Sequence, residues 1–241
     1  MIPVKSTQTQ RTTYTQAIIE KWTTATPDQR RRGREWYATA HRFAADIASG
    51  DTEAGAGVVA ALSANKSWAE NCRLARKAFA DGEASGHVRD AITKANRIMA
   101  GEDPRTVLPM HIKTGCFFLC IADPENTEAV VIDRHAHDIA VREVYGQRER
   151  GLGASGRYNL LADCYRDAAQ RIGEVPSTVQ AVTWVAHIER HRGEAMIPAS
   201  IRRLTLKHRP GEWSGSAIGT CGSGLMQGGG VWFQSSSGTG F

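Results

Sequence analysis

Apolar residues in this chain recur at three- and four-residue steps in one short window after another, and nowhere do they alternate long enough to build a sheet. Trp36, Tyr37, Ala40, Phe43, Ala44 and Ile47 mark the first such face, and Gly50-Asp51 ends it. Further helices are expected over 57–62, from Trp68 to Phe79, over 88–100, from Lys113 to Ala122, over 158–172 and over 176–191, the last opened by Pro176-Ser177. Between them stand Ser63-Ala64-Asn65-Lys66-Ser67, Gly101-Glu102-Asp103-Pro104 and Asp123-Pro124-Glu125-Asn126, clusters that favour turns over helix. Short helices joined by tight turns can bury their faces only against one another, so the pattern predicts an all-α domain. Ala129 to Ile132 reads as a short strand or extended entry, and it feeds Asp133, placed to cap a helix continuing to about Tyr145.

The helical domain is expected over 34–209. A polar segment, 1–33, precedes it and ends in the basic stretch Arg30-Arg31-Arg32-Gly33-Arg34, which reads as a solvated helix end or as a phosphate contact. From Pro210 onward ten of 32 residues are glycine, so 210–241 is expected to be a flexible tail. A net charge of +5 is compatible with a polyanionic partner. The five cysteines are scattered and never spaced as CxxC, which argues against a disulfide framework, a zinc ribbon and an iron–sulfur cluster. No apolar run has the length a bilayer demands, and the N-terminus does not read as a secretory leader, so a cytoplasmic protein is expected.

Chemistry concentrates in two stretches. Leu108-Pro109-Met110-His111-Ile112-Lys113-Thr114 leads into an apolar helix, and about twenty residues later comes Val131-Ile132-Asp133-Arg134-His135. A carboxylate fixed beside a sugar stabilises the positive charge that builds as a glycosidic bond breaks, or activates a nucleophile. Asp133 fits that role, and equally that of a plain N-cap. A lysine opening a helix can offer its amine for attack on a sugar carbon, or can simply face solvent, and Lys113 is the candidate. His187 and His191 stand four apart, but Glu189 does not directly follow the first histidine as a zinc-protease motif requires, so 187–191 reads as a solvated helix end. Cys116 and Cys120 read as packing, and no metal site is expected.

These stretches resemble the motifs of the helix-hairpin-helix (HhH-GPD) DNA glycosylase superfamily, the endonuclease-III-like and oxoguanine-type enzymes. That family carries a Leu-Pro-Gly-Val-Gly hairpin, Lys-Thr opening an apolar helix, and Val-Asp-x-His opening another. Leu108-Pro109, Lys113-Thr114 and Ile132-Asp133-Arg134-His135 fall on those positions. Leu62-Ser63-Ala64-Asn65 resembles the Leu-Ser-Ala-Gln turn that fills the gap left by an extruded base, and Pro176 to Val185 looks like the family's closing helix. The resemblance covers 36–192 and implies a compact multi-helix fold that binds duplex DNA as a monomer without a cofactor. It implies Asp133 and Lys113 as catalytic residues, with His135, Arg134 and Thr114 in support. Asn65, Lys66, Ser63 and His111 would lie at the DNA and the vacated base position.

Two departures stand out. Met110-His111-Ile112 offers no glycine and is one residue shorter than the family loop, and the four-cysteine cluster loop after the closing helix is absent. The resemblance implies a DNA N-glycosylase, with or without lyase activity. Relatives of phage type, resembling pyrophosphorylases or amino-acid transferases that act on activated hydroxymethyl-thymine, give a second expectation, set in the host cytoplasm. A non-catalytic DNA-binding domain is the third.

Overall fold

Two capping boxes set the start of the chain. Thr7 Oγ1 accepts from Gln10 N at 3.2 Å while Gln10 Oε1 accepts from Thr7 N at 2.9 Å, and Thr26 with Gln29 repeats both bonds at the same lengths. They open α1 (Gln8–Thr23) and α2 (Pro27–Ile47). The computed structural model describes residues 2–3, 5–145 and 150–196. Asp51 and Ser67 cap α3 (Thr52–Ala61) and α4 (Trp68–Asp81), and α5 (Arg89–Met99) and α6 (Pro104–Val107) follow. Next come α7 (Lys113–Ala122), α8 (Arg134–Val141), α9 (Ser155–Ile172) and α10 (Pro176–Met196). Among the described residues there is no strand, and the chain folds as the all-α domain its spacing predicts.

The middle of the domain is α3, whose residues 55–61 are all buried. It lies against α2, α5 and α7, while the other side of α2 packs on α10, and α1 packs on α8 and α9. At the α2–α10 contact a Cβ on Gly33 would stand 2.5 Å from Val182 Cα, so the two backbones meet without an intervening side chain. The extended entry 129–132 is buried and pairs with a side chain instead of a strand. Tyr158 Oη donates to Val130 O at 3.0 Å and accepts from Ile132 N at 3.1 Å.

The structure differs from the sequence expectation at several places. The stretch read as a polar N-terminal tail forms α1, with Ala17, Ile18 and Trp22 in the core and Ile2 buried ahead of it. Three arginines of the basic stretch after it are ion-paired, Arg31 to Asp28 and Glu35, Arg32 to Asp28 and Glu189, Arg34 to Glu174, while Arg30 donates to the Thr23 carbonyl. Helix α8 ends at Val141, short of Tyr145, because Arg142 turns left-handed (φ 59°) and ion-pairs with Glu20 of α1. The glycine-rich stretch 210–241 and Cys221 lie outside the described residues. Among those described, no helix is long and apolar enough to cross a membrane.

Candidate functional site

Asp133 caps α8 with one oxygen. Its Oδ1 accepts from His135 N at 2.9 Å and Ala136 N at 2.8 Å. No described residue donates to Oδ2, which is nevertheless open to solvent and so not a sealed orphan. The cap is held from behind: Ile132 is tied to Tyr158, and Tyr165 Oη donates to Ala136 O at 3.2 Å. The carboxylate stands near two buried phenols. Burial pushes the Tyr37 and Tyr165 hydroxyls well up, and the charge of Asp133 adds to the shift in both.

Tyr37 belongs to a bank of rings. Its hydroxyl donates to the buried Gln180 Oε1 at 3.1 Å, and Trp36 beside it has ring centroids 4.6 Å from Tyr37, 5.9 Å from Phe117 and 5.1 Å from Trp68. Trp36 and Trp68 are only partly buried. Because Trp68 opens α4 directly after the 63–67 turn and Phe117 sits one helical turn beyond Lys113, the rings connect that turn to the start of α7.

The 63–66 turn divides its residues by role. Ser63 Oγ donates to Ala60 O at 2.8 Å, which commits it to ending α3, and Lys66 reaches Glu70 only at 3.9 Å. Asn65 is exposed at the tip in a left-handed conformation (φ 57°), one of the few that asparagine tolerates better than other side chains. The 109–112 loop folds back onto α7, where a Cβ on Gly115 would meet the Pro109 carbonyl oxygen at 2.7 Å. The loop backbone therefore lies directly against α7 at Gly115. His111 and Lys113 are exposed there, Thr114 is half-buried, and Ile112 supplies no side-chain cap to α7.

His135 sits in a box of rings. Its Nε2 accepts from Arg134 Nε at 3.1 Å, and two rings of α10 meet its imidazole edge-on: Trp184 at 6.2 Å and His187 at 5.5 Å between centroids. His187 is therefore turned inward, not part of a solvated helix end. Gln180, Trp184 and His187, at steps of four and three, share the α10 face turned toward the site, a period that could have been read from the sequence. Glu189 holds α2 to α10 by accepting from Gln29 and Arg32.

The structure thus joins Asp133, Arg134 and His135 in one hydrogen-bonded turn. It forms no ion pair or hydrogen bond between Lys113 and Asp133, and the Asn65 turn is linked to them through rings and not by direct bonds. The four described cysteines are packing residues, as expected of Cys116 and Cys120: burial pushes the Cys120 thiol well up, Cys72 to about 12 and Cys164 to about 11. Among the described residues no group of three or more His, Cys, Asp or Glu is placed to hold a metal ion. Residues 1–192 match the model of the "Family of unknown function (DUF7178)". No curated protein and no solved structure matches the chain.

Proposed function

We propose that this chain, which belongs to the family of unknown function DUF7178, is a DNA N-glycosylase acting on a base swung out of the duplex, with Asp133 as its working carboxylate. The observation that carries the reading is the division of labour within Asp133. Two backbone amides hold Oδ1, so Oδ2 is aimed without a partner of its own. A carboxylate oriented before the reaction costs no reorganisation when positive charge develops at the sugar C1′. In the hydrolytic route, water oxygen bonds to C1′ and Asp133 Oδ2 accepts a proton from that water. The C1′–N electron pair leaves on the base, which takes a proton from solvent. Lys113, exposed and without an ion pair among the described residues, is available for the amine route, in which its neutral nitrogen bonds to C1′ as the base leaves with the C1′–N electron pair, an amine proton passes to Asp133 Oδ2, and the C1′–O4′ bond then opens to a Schiff base with O4′ taking a proton. Asn65 supports the same reading, since its exposed amide at a turn tip can fill the space an extruded base leaves.

The test uses duplexes carrying uracil, hydroxymethyluracil, oxoguanine or alkylated bases, incubated with wild type or Asp133→Asn and then heated in alkali. Asparagine caps a helix about as well as aspartate, so the variant keeps its fold. Scission by wild type and not by Asp133→Asn is the expected result. Equal scission by both removes Asp133 from the reaction. No scission with any duplex, but a mass change in modified thymine with the sugar–base bond intact, would replace excision by chemistry on the base substituent. Salt-sensitive DNA binding that survives Asp133→Asn, with no product of either kind, would leave a binding domain. A borohydride-trapped adduct that vanishes in Lys113→Ala would assign the amine route.

A further inference from the structure

We infer that His135 is a neutral hydrogen-bond donor to the departing base, presenting Nδ1–H from a single fixed tautomer; this rests on the reading of Asp133 as the glycosylase carboxylate. Three observations carry it. Arg134 Nε donates to His135 Nε2 at 3.1 Å, and a ring nitrogen that accepts a hydrogen bond carries no proton, so the proton of the neutral ring is on Nδ1. That Nδ1–H has no partner among the described residues and is not sealed from solvent, so it is free to donate to something that enters. The ring cannot easily turn away: Trp184 meets it at 87° and His187 at 62°, both edge-on from α10, and its own backbone amide is bonded to Asp133. Donor and carboxylate therefore stand on one turn of chain, separated by Arg134.

The chemistry requires a donor of this kind. As the C1′–N bond breaks, positive charge builds on the sugar and negative charge on the base. A cationic imidazolium beside Asp133 would pair with the carboxylate and oppose the charge at C1′. A neutral N–H stabilises an acceptor atom of the base, a carbonyl oxygen or ring nitrogen, without doing either. The surroundings keep the ring uncharged. Burial is the largest influence holding the imidazole below its ordinary value, Arg134 and Arg150 act with it, Asp133 and Asp138 act against it, and His187 is the titratable group facing it from α10.

The first measurement is the nitrogen-15 chemical shift pattern of His135 in the free full-length chain. The expected result is a neutral ring protonated on Nδ1 from pH 6 to 8, and a shift toward the mixed tautomer in Arg134→Met. A ring protonated on Nε2, or charged at pH 7, overturns the inference whatever the chain does to DNA. The second is single-turnover excision on a duplex that wild type cleaves. The amide nitrogen of asparagine reaches the place of Nδ1, whereas that of glutamine reaches the place of Nε2. His135→Asn should stay within about tenfold of wild type, and His135→Gln should fall by about a hundred- to a thousandfold, the usual cost of losing one preorganised donor. Equal rates in the two variants refute the donor. Should wild type cleave none of the duplexes, the reading of Asp133 has failed, and affinity for those duplexes then decides on His135: tighter binding by the Asn than by the Gln variant keeps the contact to a base, and equal binding removes it.

Discussion

Asp133 is only as well aimed as the helix it caps, and α8 is anchored one turn further on by a buried ion pair. Arg150 grips Asp138 with two bonds, Nε to Oδ1 at 2.8 Å and Nη2 to Oδ2 at 2.6 Å, and the two residues are 7% and 6% exposed. His137, fully buried, bonds the same carboxylate through Nδ1 at 3.0 Å, while its Nε2 has no hydrogen-bond partner among the described residues. Replacing Arg150 with methionine keeps most of the volume and strands the carboxylate. Removing one member of a buried pair costs about 3–5 kcal/mol, because the remaining charge loses its compensation but stays out of water. For a chain of this size each kcal/mol moves the melting temperature by about 2–4 °C, so Arg150→Met should melt about 6–20 °C lower at pH 7. The double variant Asp138→Leu/Arg150→Met should recover much of that loss, since it removes the orphan charge along with its partner. Circular dichroism melts of wild type, both single variants and the double variant complete the cycle. A loss below about 1 kcal/mol in Arg150→Met would place the pair in the class of solvated surface bridges and refute the argument that it fixes α8 beneath Asp133.

The remaining predictions separate fold from site. Burial is the main cause holding His135 and His137 below the ordinary histidine value of 6.5, so the unfolded chain binds more protons than the folded one as pH drops through that value. Stability is then full above pH 6.5 and falls on acidification; melts between pH 8 and 5 that stay level or rise would contradict it. Asp138 adds a second loss lower down. Burial pushes its carboxyl up, but Arg150 and His137 outweigh that and hold it below 3.8, so its contribution is present above 3.8 and is lost as pH falls through the depressed value. Gly115→Ala forces the 109–112 loop off α7 and should cost about 1–3 kcal/mol, with DNA affinity falling in filter-binding or anisotropy measurements. Asn65→Gly relaxes a left-handed backbone and should leave stability within about 0.5 kcal/mol while slowing excision, whereas Asn65→Ala should cost about 1 kcal/mol besides. Full excision by Asn65→Gly would end the gap-filling role.

What could be read in the sequence was local, and what could not depends on partners far along the chain. Faces such as Trp36 to Ile47 declare themselves because a helix repeats every 3.6 residues. Helix α1 does not, because its inner stripe includes Thr15, a buried threonine whose hydroxyl reaches Cys164 O on α9 at 3.5 Å, and a polar residue counts against a core until its acceptor is known. The early turns of α3, ahead of the helix expected over 57–62, are hidden for the opposite reason. Gly55 looks like an interruption, yet it packs directly on the Ala44 carbonyl of α2, where any side chain would collide. The basic run Arg30–Arg34 looks open to a polyanion because only Asp28 and Glu35 are near in sequence; Glu189 of α10 and Glu174 of the turn before it add partners for Arg32 and Arg34.

The same division runs through the site. That Asp133 caps a helix follows from its neighbours alone; the donation from Arg134 to His135 does not, because adjacent side chains on a helix point apart. That His135 is boxed by Trp184 and His187 does not, because those rings arrive from a helix some fifty residues away in sequence. The local reading posed cap and catalyst as alternatives, but the cap occupies Oδ1 alone, and the proposed chemistry asks only for Oδ2. The cap consumes Oδ1 and leaves Oδ2, so the two roles can be pulled apart at one position. Asp133→Asn preserves the cap and loses the carboxylate; Asp133→Ala loses both and should also cost about 1 kcal/mol of stability. If excision falls equally in the two while only the alanine variant melts early, the carboxylate works through Oδ2 and the cap serves only to aim it. If activity instead follows melting temperature, Asp133 is a structural cap.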